Sequence, residues 1–137
     1  MSAERRLVLF LRVVGGVACL ALVAVFMPRE WMAAIHERVG LGRFPDAPIA
    51  EYLARSLSAM YAFLGGLLLL ASQDVHARGW VITYVGLANL ACGPLIMLLD
   101  ARLRMPIWWT AAEGTVLTLL GVALIVLRAR VKAAARP

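Results

Sequence analysis

At 137 residues the chain has the length of one ordinary domain, but 63% of its residues are hydrophobic and only 16% are charged. Soluble globular domains are about half apolar and about a quarter charged, so this composition argues against one. The net charge of +6 does not indicate nucleic-acid binding, because the sequence offers no soluble scaffold that could present a basic face. The charged residues gather between long apolar runs, which is typical of an all-α integral membrane protein.

Four apolar runs predict four membrane spans, at about residues 7–27, 53–72, 80–99 and 108–127. Each has about 20 residues, which at a rise of about 1.5 Å per residue crosses a hydrocarbon core of about 30 Å. The first run follows a basic start, as in a signal peptide. It is too long for one and lacks a small-residue cleavage site, so we expect a retained span. The sequence thus predicts a single membrane domain over residues 1–137, folded as a four-helix bundle.

The segment between the first two runs predicts a short helix over about residues 29–39. Pro28 suits the start of such a helix, and Gly40 or Gly42 suits its end. An apolar stripe at helical spacing supports it, formed by Trp31, Met32, Ile35 and Val39. We expect this helix to lie in the membrane interface, in the first outer loop, with Trp31 as an aromatic anchor.

The basic residues predict the orientation, because Lys and Arg accumulate in cytoplasmic loops and tails. With the N-terminus inside, the inner segments carry Arg5, Arg6, Arg78, Arg128, Arg130, Lys132 and Arg136. The outer segments then carry the smaller set Arg29, Arg38, Arg43, Arg102 and Arg104. We therefore expect a multi-pass protein with both the N-terminus and the C-terminus in the cytoplasm.

Ionisable residues in or near the spans are costly to bury and therefore mark candidate sites. Glu51 and Arg55 stand four residues apart with the acid first, the favourable order for a helical ion pair. Glu113 lies about 7–8 Å inside the fourth run from the same membrane side, and Asp100 ends the third run at that side. We predict that Arg55 pairs with Glu113 and that Glu51 and Asp100 lie nearby.

Two interpretations of this cluster stay open. It is either a polar clasp that fixes helix packing or a small outward-facing pocket for a polar or anionic ligand, a lipid headgroup or a proton. A further alternative pairs Glu113 with Arg102 or Arg104 instead. Three secondary candidates are Glu30, His36 and Tyr52. His36 could join Glu30 or Glu37 in a weak metal- or proton-binding group, although the polar face of an interfacial helix is the favoured interpretation.

No motif indicates catalysis, a metal site or a cofactor. The sequence lacks the phosphate-binding, serine-hydrolase, zinc-protease and C-x-x-C patterns. Cys19 and Cys92 lie inside apolar runs, and two thiols alone cannot build a zinc site. His36 and His76 fall on opposite membrane sides in the predicted topology, so shared haem ligation is not expected. We predict no catalytic residue, no metal and no cofactor.

Three segments together carry a resemblance to a group of small bacterial four-span membrane proteins of uncharacterised function. They contain Glu30-Trp31-Met32 with Ile35-His36, then residues 41–45 and 51–56, and finally Asp100 with Met105-Pro106-Ile107-Trp108-Trp109 and Glu113-Gly114. In length and span count the chain is also similar to DoxX-like four-helix membrane proteins, although it has no specific motif of theirs. The resemblance directs attention to the first outer loop and the Arg55/Glu113 region. We expect a bacterial inner (plasma) membrane location.

Two functional hypotheses from different classes follow. The leading one is a non-enzymatic accessory or scaffold subunit of a membrane assembly, whose helices pack against other membrane subunits or against copies of itself. The alternative is a binder or transporter of a small ligand, lipid or ion, which would use the polar cluster between spans two, three and four. In both cases the lipid bilayer is a partner and nucleic acid is not.

Overall fold

The structure, a computed structural model, describes residues 1–135, and most of these residues are helical. The helices are α1 (Ala3–Cys19), α2 (Leu22–Phe26), α3 (Arg29–Arg38), α4 (Pro48–Ala71), α5 (Gly79–Arg102) and α6 (Ile107–Ala134). No strand occurs among these residues. Arg136, one of the basic residues used to predict the orientation, lies outside them.

Four helical segments are long and apolar enough to cross a membrane, which confirms the prediction of a multi-pass helical protein. They are residues 3–26, formed by α1 and α2 together, and the helices α4, α5 and α6. They contain 24, 24, 24 and 28 residues, so at about 1.5 Å per residue each exceeds a hydrocarbon core of about 30 Å. The assembly of these spans into one bundle and the side on which the termini lie stay predictions.

The helices extend beyond most of the predicted apolar runs, because backbone hydrogen bonding continues into polar sequence at helix ends. α4 begins at Pro48, ahead of its apolar run, and α6 continues to Ala134, past its own. The first span is interrupted at Leu20 and Ala21, whose N–H groups bond three residues back, to the carbonyls of Val17 and Ala18. The helix expected over residues 29–39 is α3.

The chain divides into two compact units, one formed by residues 1–11 with 70–137 and the other by residues 12–69. In the first unit α5 and α6 pack backbone to backbone. A Cβ atom added to Gly114 would lie 2.5 Å from the carbonyl oxygen of Gly93, and one added to Gly121 would lie 2.7 Å from that of Gly86. Small residues of this kind let helices approach closely in membranes, where apolar side chains alone give little driving force for association.

The turn between α4 and α5 belongs to the same unit and is closed by Asp74. Its carboxylate oxygen Oδ1 accepts hydrogen bonds from the backbone N–H groups of His76 (3.0 Å) and Ala77 (2.9 Å). These bonds, led by the one from Ala77, lower the pKa of the Asp74 carboxyl below its usual value. Because the pKa of Asp74 is lower in the folded state than in the unfolded state, these bonds stabilise the fold at neutral pH. Their contribution is lost as the pH falls through the lowered, folded-state pKa.

In the second unit α1 and α4 meet in the same way at Gly15 and Gly65. A Cβ atom on Gly65 would lie 2.6 Å from the carbonyl oxygen of Gly15 and 2.8 Å from the backbone nitrogen of Cys19. The thiol of Cys19 donates to the carbonyl oxygen of Ala62 at 3.7 Å. Cys19 and Cys92 are both free thiols. Cys19 therefore acts as a small packing residue at this contact.

The neighbouring glycines Gly65 and Gly66 provide a test of this contact. We expect Gly65→Ala to reduce the free energy of unfolding by about 1–3 kcal/mol, because the new methyl group meets rigid backbone. Gly66→Ala should be neutral or stabilise by about 0.5–1 kcal/mol, since nothing lies within 4 Å of its added Cβ and alanine favours helix. Unfolding midpoints of the purified full chain in mixed micelles measure both. Equal effects of the two variants would contradict the α1–α4 contact.

Candidate functional site

The guanidinium group of Arg55, on α4, forms the centre of the best-defined polar cluster in the second unit. Its Nη1 atom donates to the carbonyl oxygen of Val25, and Nη2 donates to that of Met27 at 2.9 Å. These carbonyls stand at the end of α2, where the helix itself provides no N–H partner for them. Arg55 therefore caps the carboxyl end of α2, where a positive charge is also favoured by the helix dipole.

The same guanidinium forms an ion pair with Glu51, which the spacing of the two residues favours. Nη2 and Nε of Arg55 lie 2.7 Å and 2.9 Å from Oε1 of Glu51, one turn earlier on α4. The Arg55 side chain is 28% exposed and that of Glu51 30% exposed, so both are largely withdrawn from solvent. A charge-assisted pair in such surroundings is stronger than a fully exposed one.

Arg29, at the start of α3, is a second cation on the Glu51 carboxylate. Its Nη1 atom lies 3.6 Å from Oε2 of Glu51, while Nη2 lies 3.0 Å from Oδ1 of Asp46 and 3.2 Å from the carbonyl oxygen of Pro45. The guanidinium carbon also lies 5.6 Å from the centre of the Phe44 ring, a cation–π distance. Arg29 therefore joins the start of α3 to the chain segment that leads into α4.

The turn after α3 depends on two glycines and on His36. Gly40 and Gly42 have φ angles of 80° and 82°, which side-chain-bearing residues rarely adopt. The N–H of Leu41 bonds back to the carbonyl of His36, the hydrogen bond of a glycine-terminated helix end. The Nδ1 atom of His36 lies 2.9 Å from the carbonyl oxygen of Gly42, and its ring packs edge-on against Phe44. These contacts assign His36 a structural role in the turn.

Of the four leading candidate residues, the structure brings Glu51 and Arg55 together in one ion pair. Asp100 and Glu113 belong to the other unit. Asp100 is 6% exposed near the end of α5, and within residues 1–135 its Oδ2 atom has no hydrogen-bond partner. Glu113 is half-buried on α6. The pairing of Arg55 with Glu113 would join the two units and stays a prediction.

The secondary candidates take separate places. Tyr52 is 64% exposed on α4. Glu30 lines a cleft of about 280 Å³ in the second unit, whose wall consists of Arg29, Glu30, Ala33, Glu37, Arg43, Phe44 and Asp46. With three acids facing two arginines, the cleft suits water or a small polar molecule. No group of three or more His, Cys, Asp or Glu side chains that could hold a metal occurs among the described residues.

Sequence reasoning missed the contribution of Arg29 and of the two carbonyls at the end of α2. The sequence places Arg29 only among the outer basic residues that predict the orientation. One signal was available, because a helix that stops just before Pro28 leaves carbonyls that need a donor. The sequence does not say which donor reaches them, since the partner lies up to 30 residues away along the chain.

We expect Arg55→Gln to reduce the free energy of unfolding by about 1–3 kcal/mol, because it removes the charged donor from the α2 carbonyls and leaves Glu51 with a weaker partner. Arg43→Gln is the matched control, because the Arg43 side chain is 86% exposed and its ion pair with Asp46 is long, at 3.6 Å. Hydrogen exchange of residues 22–30, measured by mass spectrometry, should rise in the first variant alone. Unchanged hydrogen exchange of residues 22–30 in Arg55→Gln would contradict the capping role.

Comparisons with known proteins identify no family for this chain. No family model matches the chain, and no curated protein and no solved structure is significantly similar to it. The contacts described above, and the helices that position them, therefore carry the functional argument.

Proposed function

We propose that the protein is a non-enzymatic accessory or scaffold subunit of a membrane assembly. In this role its helices pack against other membrane subunits or against further copies of the chain. The polar cluster around Arg55 then serves as a clasp that holds the first two spans and α3 in a fixed geometry. The proposal includes insertion in a bacterial inner membrane with both termini in the cytoplasm.

The observation that carries the proposal is the open surface at two glycines, Gly16 on α1 and Gly66 on α4. Each directly follows a glycine that packs at the α1–α4 contact. A Cβ atom added to Gly16 or Gly66, however, would meet nothing within 4 Å. Beside Gly66 the α4 surface carries the exposed side chains of Phe63 and Leu70. A flat, apolar helix surface at a glycine favours close approach of another helix in a membrane.

The internal pairing of charges in the second unit supports the same role. Glu51 lies between two arginines, and Arg55 donates to three oxygen-bearing groups, so neither side chain is left free to bind a substrate. Such a network is more useful for holding helices in place than for turnover, because a catalytic group needs access to its substrate.

Site-directed photo-crosslinking of the full chain in its native membrane tests the scaffold role. With the photoreactive residue benzoylphenylalanine in place of Phe63, we expect covalent protein adducts of discrete mass. Gly66→Ile, which fills the open surface, should abolish these adducts without reducing the amount of protein in the membrane. Ala91→Ile, at an exposed position on α5, is the control for added bulk. Adducts with lipid alone, or adducts unaffected by Gly66→Ile, would contradict the proposal.

A binder or transporter of a small ligand or ion is the second candidate, and Asp100 is the observation that favours it. A carboxylate 6% exposed, with one oxygen unpartnered within residues 1–135, is costly unless a proton or another group meets it. Glu113 is the other candidate carboxylate in the same unit. A proton or a cation would neutralise either of these two carboxylates.

This candidate predicts that Asp100→Asn removes function while the protein still folds. An amide has nearly the size of a carboxyl group and carries no charge, so thermal stability should stay the same or rise. Glu113→Gln provides the comparison at the half-buried position. Proton or cation uptake into vesicles that contain the full chain measures the function. Equal uptake by vesicles with and without the protein would eliminate this candidate.

A further inference from the structure

A groove of about 640 Å³ runs between the first turns of α5 and the last turns of α6, within the first unit. On α5 it is lined by Trp80, Tyr84 and Leu87, which share one helix face because they are four and three residues apart. Arg128 and Lys132 line its α6 side near Trp80, and Ile125 lines the same side near Leu87. The groove is therefore cationic at one end and apolar at the other.

The aromatic residues of the groove face outward. Trp80 is 75% exposed and Tyr84 is 69% exposed. Tryptophan and tyrosine collect at the level of lipid headgroups, where the ring meets hydrocarbon and its polar edge meets water. The groove thus has the composition of a surface in contact with the headgroup and upper acyl region of a bilayer.

The two cations of the groove differ from Arg29 and Arg55 of the second unit, which both form ion pairs. Within residues 1–135 neither Arg128 nor Lys132 forms an ion pair. The Arg128 guanidinium lies directly over Gly79, where a Cβ atom would be only 2.0 Å from Nη2. Because glycine has no side chain, the Arg128 guanidinium can lie against Gly79 at the cationic end of the groove.

We propose that this groove binds one anionic phospholipid of the surrounding bilayer. The lipid phosphate accepts hydrogen bonds from Arg128, whose planar fork suits phosphate oxygens, and from Lys132. The glycerol and the upper part of one acyl chain follow Tyr84, Leu87 and Ile125. The distance from Trp80 to Leu87 along α5 is about 10 Å at helical rise, enough for this part of the lipid. The proposal goes beyond the scaffold role and does not depend on it.

Fluorescence quenching of Trp80 tests the proposal. The full chain, with Trp31, Trp108 and Trp109 replaced by phenylalanine, is reconstituted in vesicles of phosphatidylcholine. A small, increasing fraction of brominated phosphatidylglycerol or brominated phosphatidylcholine is then included. We expect half-maximal quenching at a several-fold lower fraction of the anionic lipid, since each basic residue near the surface contributes about fivefold to its binding.

Three variants and one matched control locate the site. Arg128→Gln and Lys132→Gln should each weaken the preference for the anionic lipid about fivefold. Arg130→Gln is the matched control, because Arg130 is an exposed neighbour on α6 that does not line the groove. Gly79→Ala keeps every charge but displaces the Arg128 guanidinium, so it should also weaken the preference.

Equal quenching of the parent protein by the two brominated lipids would overturn the proposal, and this comparison needs no variant at the site to fold. An equal loss in Arg130→Gln and Arg128→Gln would also overturn it, because the preference would then reflect diffuse charge on α6. Relief of quenching by millimolar inorganic phosphate would assign the cations to a free anion and not to a lipid, with the same consequence. A preference reduced by Arg128→Gln, Lys132→Gln and Gly79→Ala, but kept in Arg130→Gln, supports a lipid site.

Discussion

The cap that Arg55 places on the end of α2 is the interaction on which the first half of the chain depends. The carbonyls of Val25 and Met27 have no helical partner, and in a medium with little water an unpaired carbonyl costs several kcal/mol. A cation can supply the donors, but a cation also needs a counter-ion when it is withdrawn from water. Glu51, one turn earlier on the same helix, provides it. The three groups therefore stabilise one another: the α2 carbonyls gain donors, and Arg55 and Glu51 each gain a counter-ion.

The position of α3 follows from this cap. Glu51 also lies near Arg29, and Arg29 contacts Asp46, the Pro45 carbonyl and the ring of Phe44. Charges thus alternate from α4 through the start of α3 to the segment before α4. The α5–α6 pair contrasts with this arrangement. It is joined by glycine contacts along its length, and at one end Arg128 and Lys132 form no ion pair with any residue from 1 to 135.

Properties that depend on local sequence could be predicted. Apolar runs indicated four helices long enough to span a membrane, and the stripe of Trp31, Met32 and Ile35, which ends at the C-cap residue Val39, indicated α3, because each pattern depends on the geometry of one helix. The Glu51–Arg55 pair could be predicted from a spacing of four residues. In each case the interacting groups are fixed by the geometry of a single element.

Contacts between elements could not be predicted in the same way. Every residue has a carbonyl, so the sequence could not identify those of Val25 and Met27 as the partners of Arg55. Gly65 and Gly66 are the same residue type, and only the path of α1 distinguishes the packed one from the open one. The predicted Arg55–Glu113 pair is a contact of this kind and stays a prediction, while the partners seen for Arg55 lie within residues 12–69.

The distance along the chain between Arg55 and its carbonyl partners has a consequence for biosynthesis. The ribosome completes the first span about thirty residues before it adds the arginine that satisfies the end of that span. Until then the carbonyls of Val25 and Met27 must stay hydrated. We therefore expect the first hydrophobic segment to reach its final depth only when the second arrives, and the two to leave the insertion machinery as a pair.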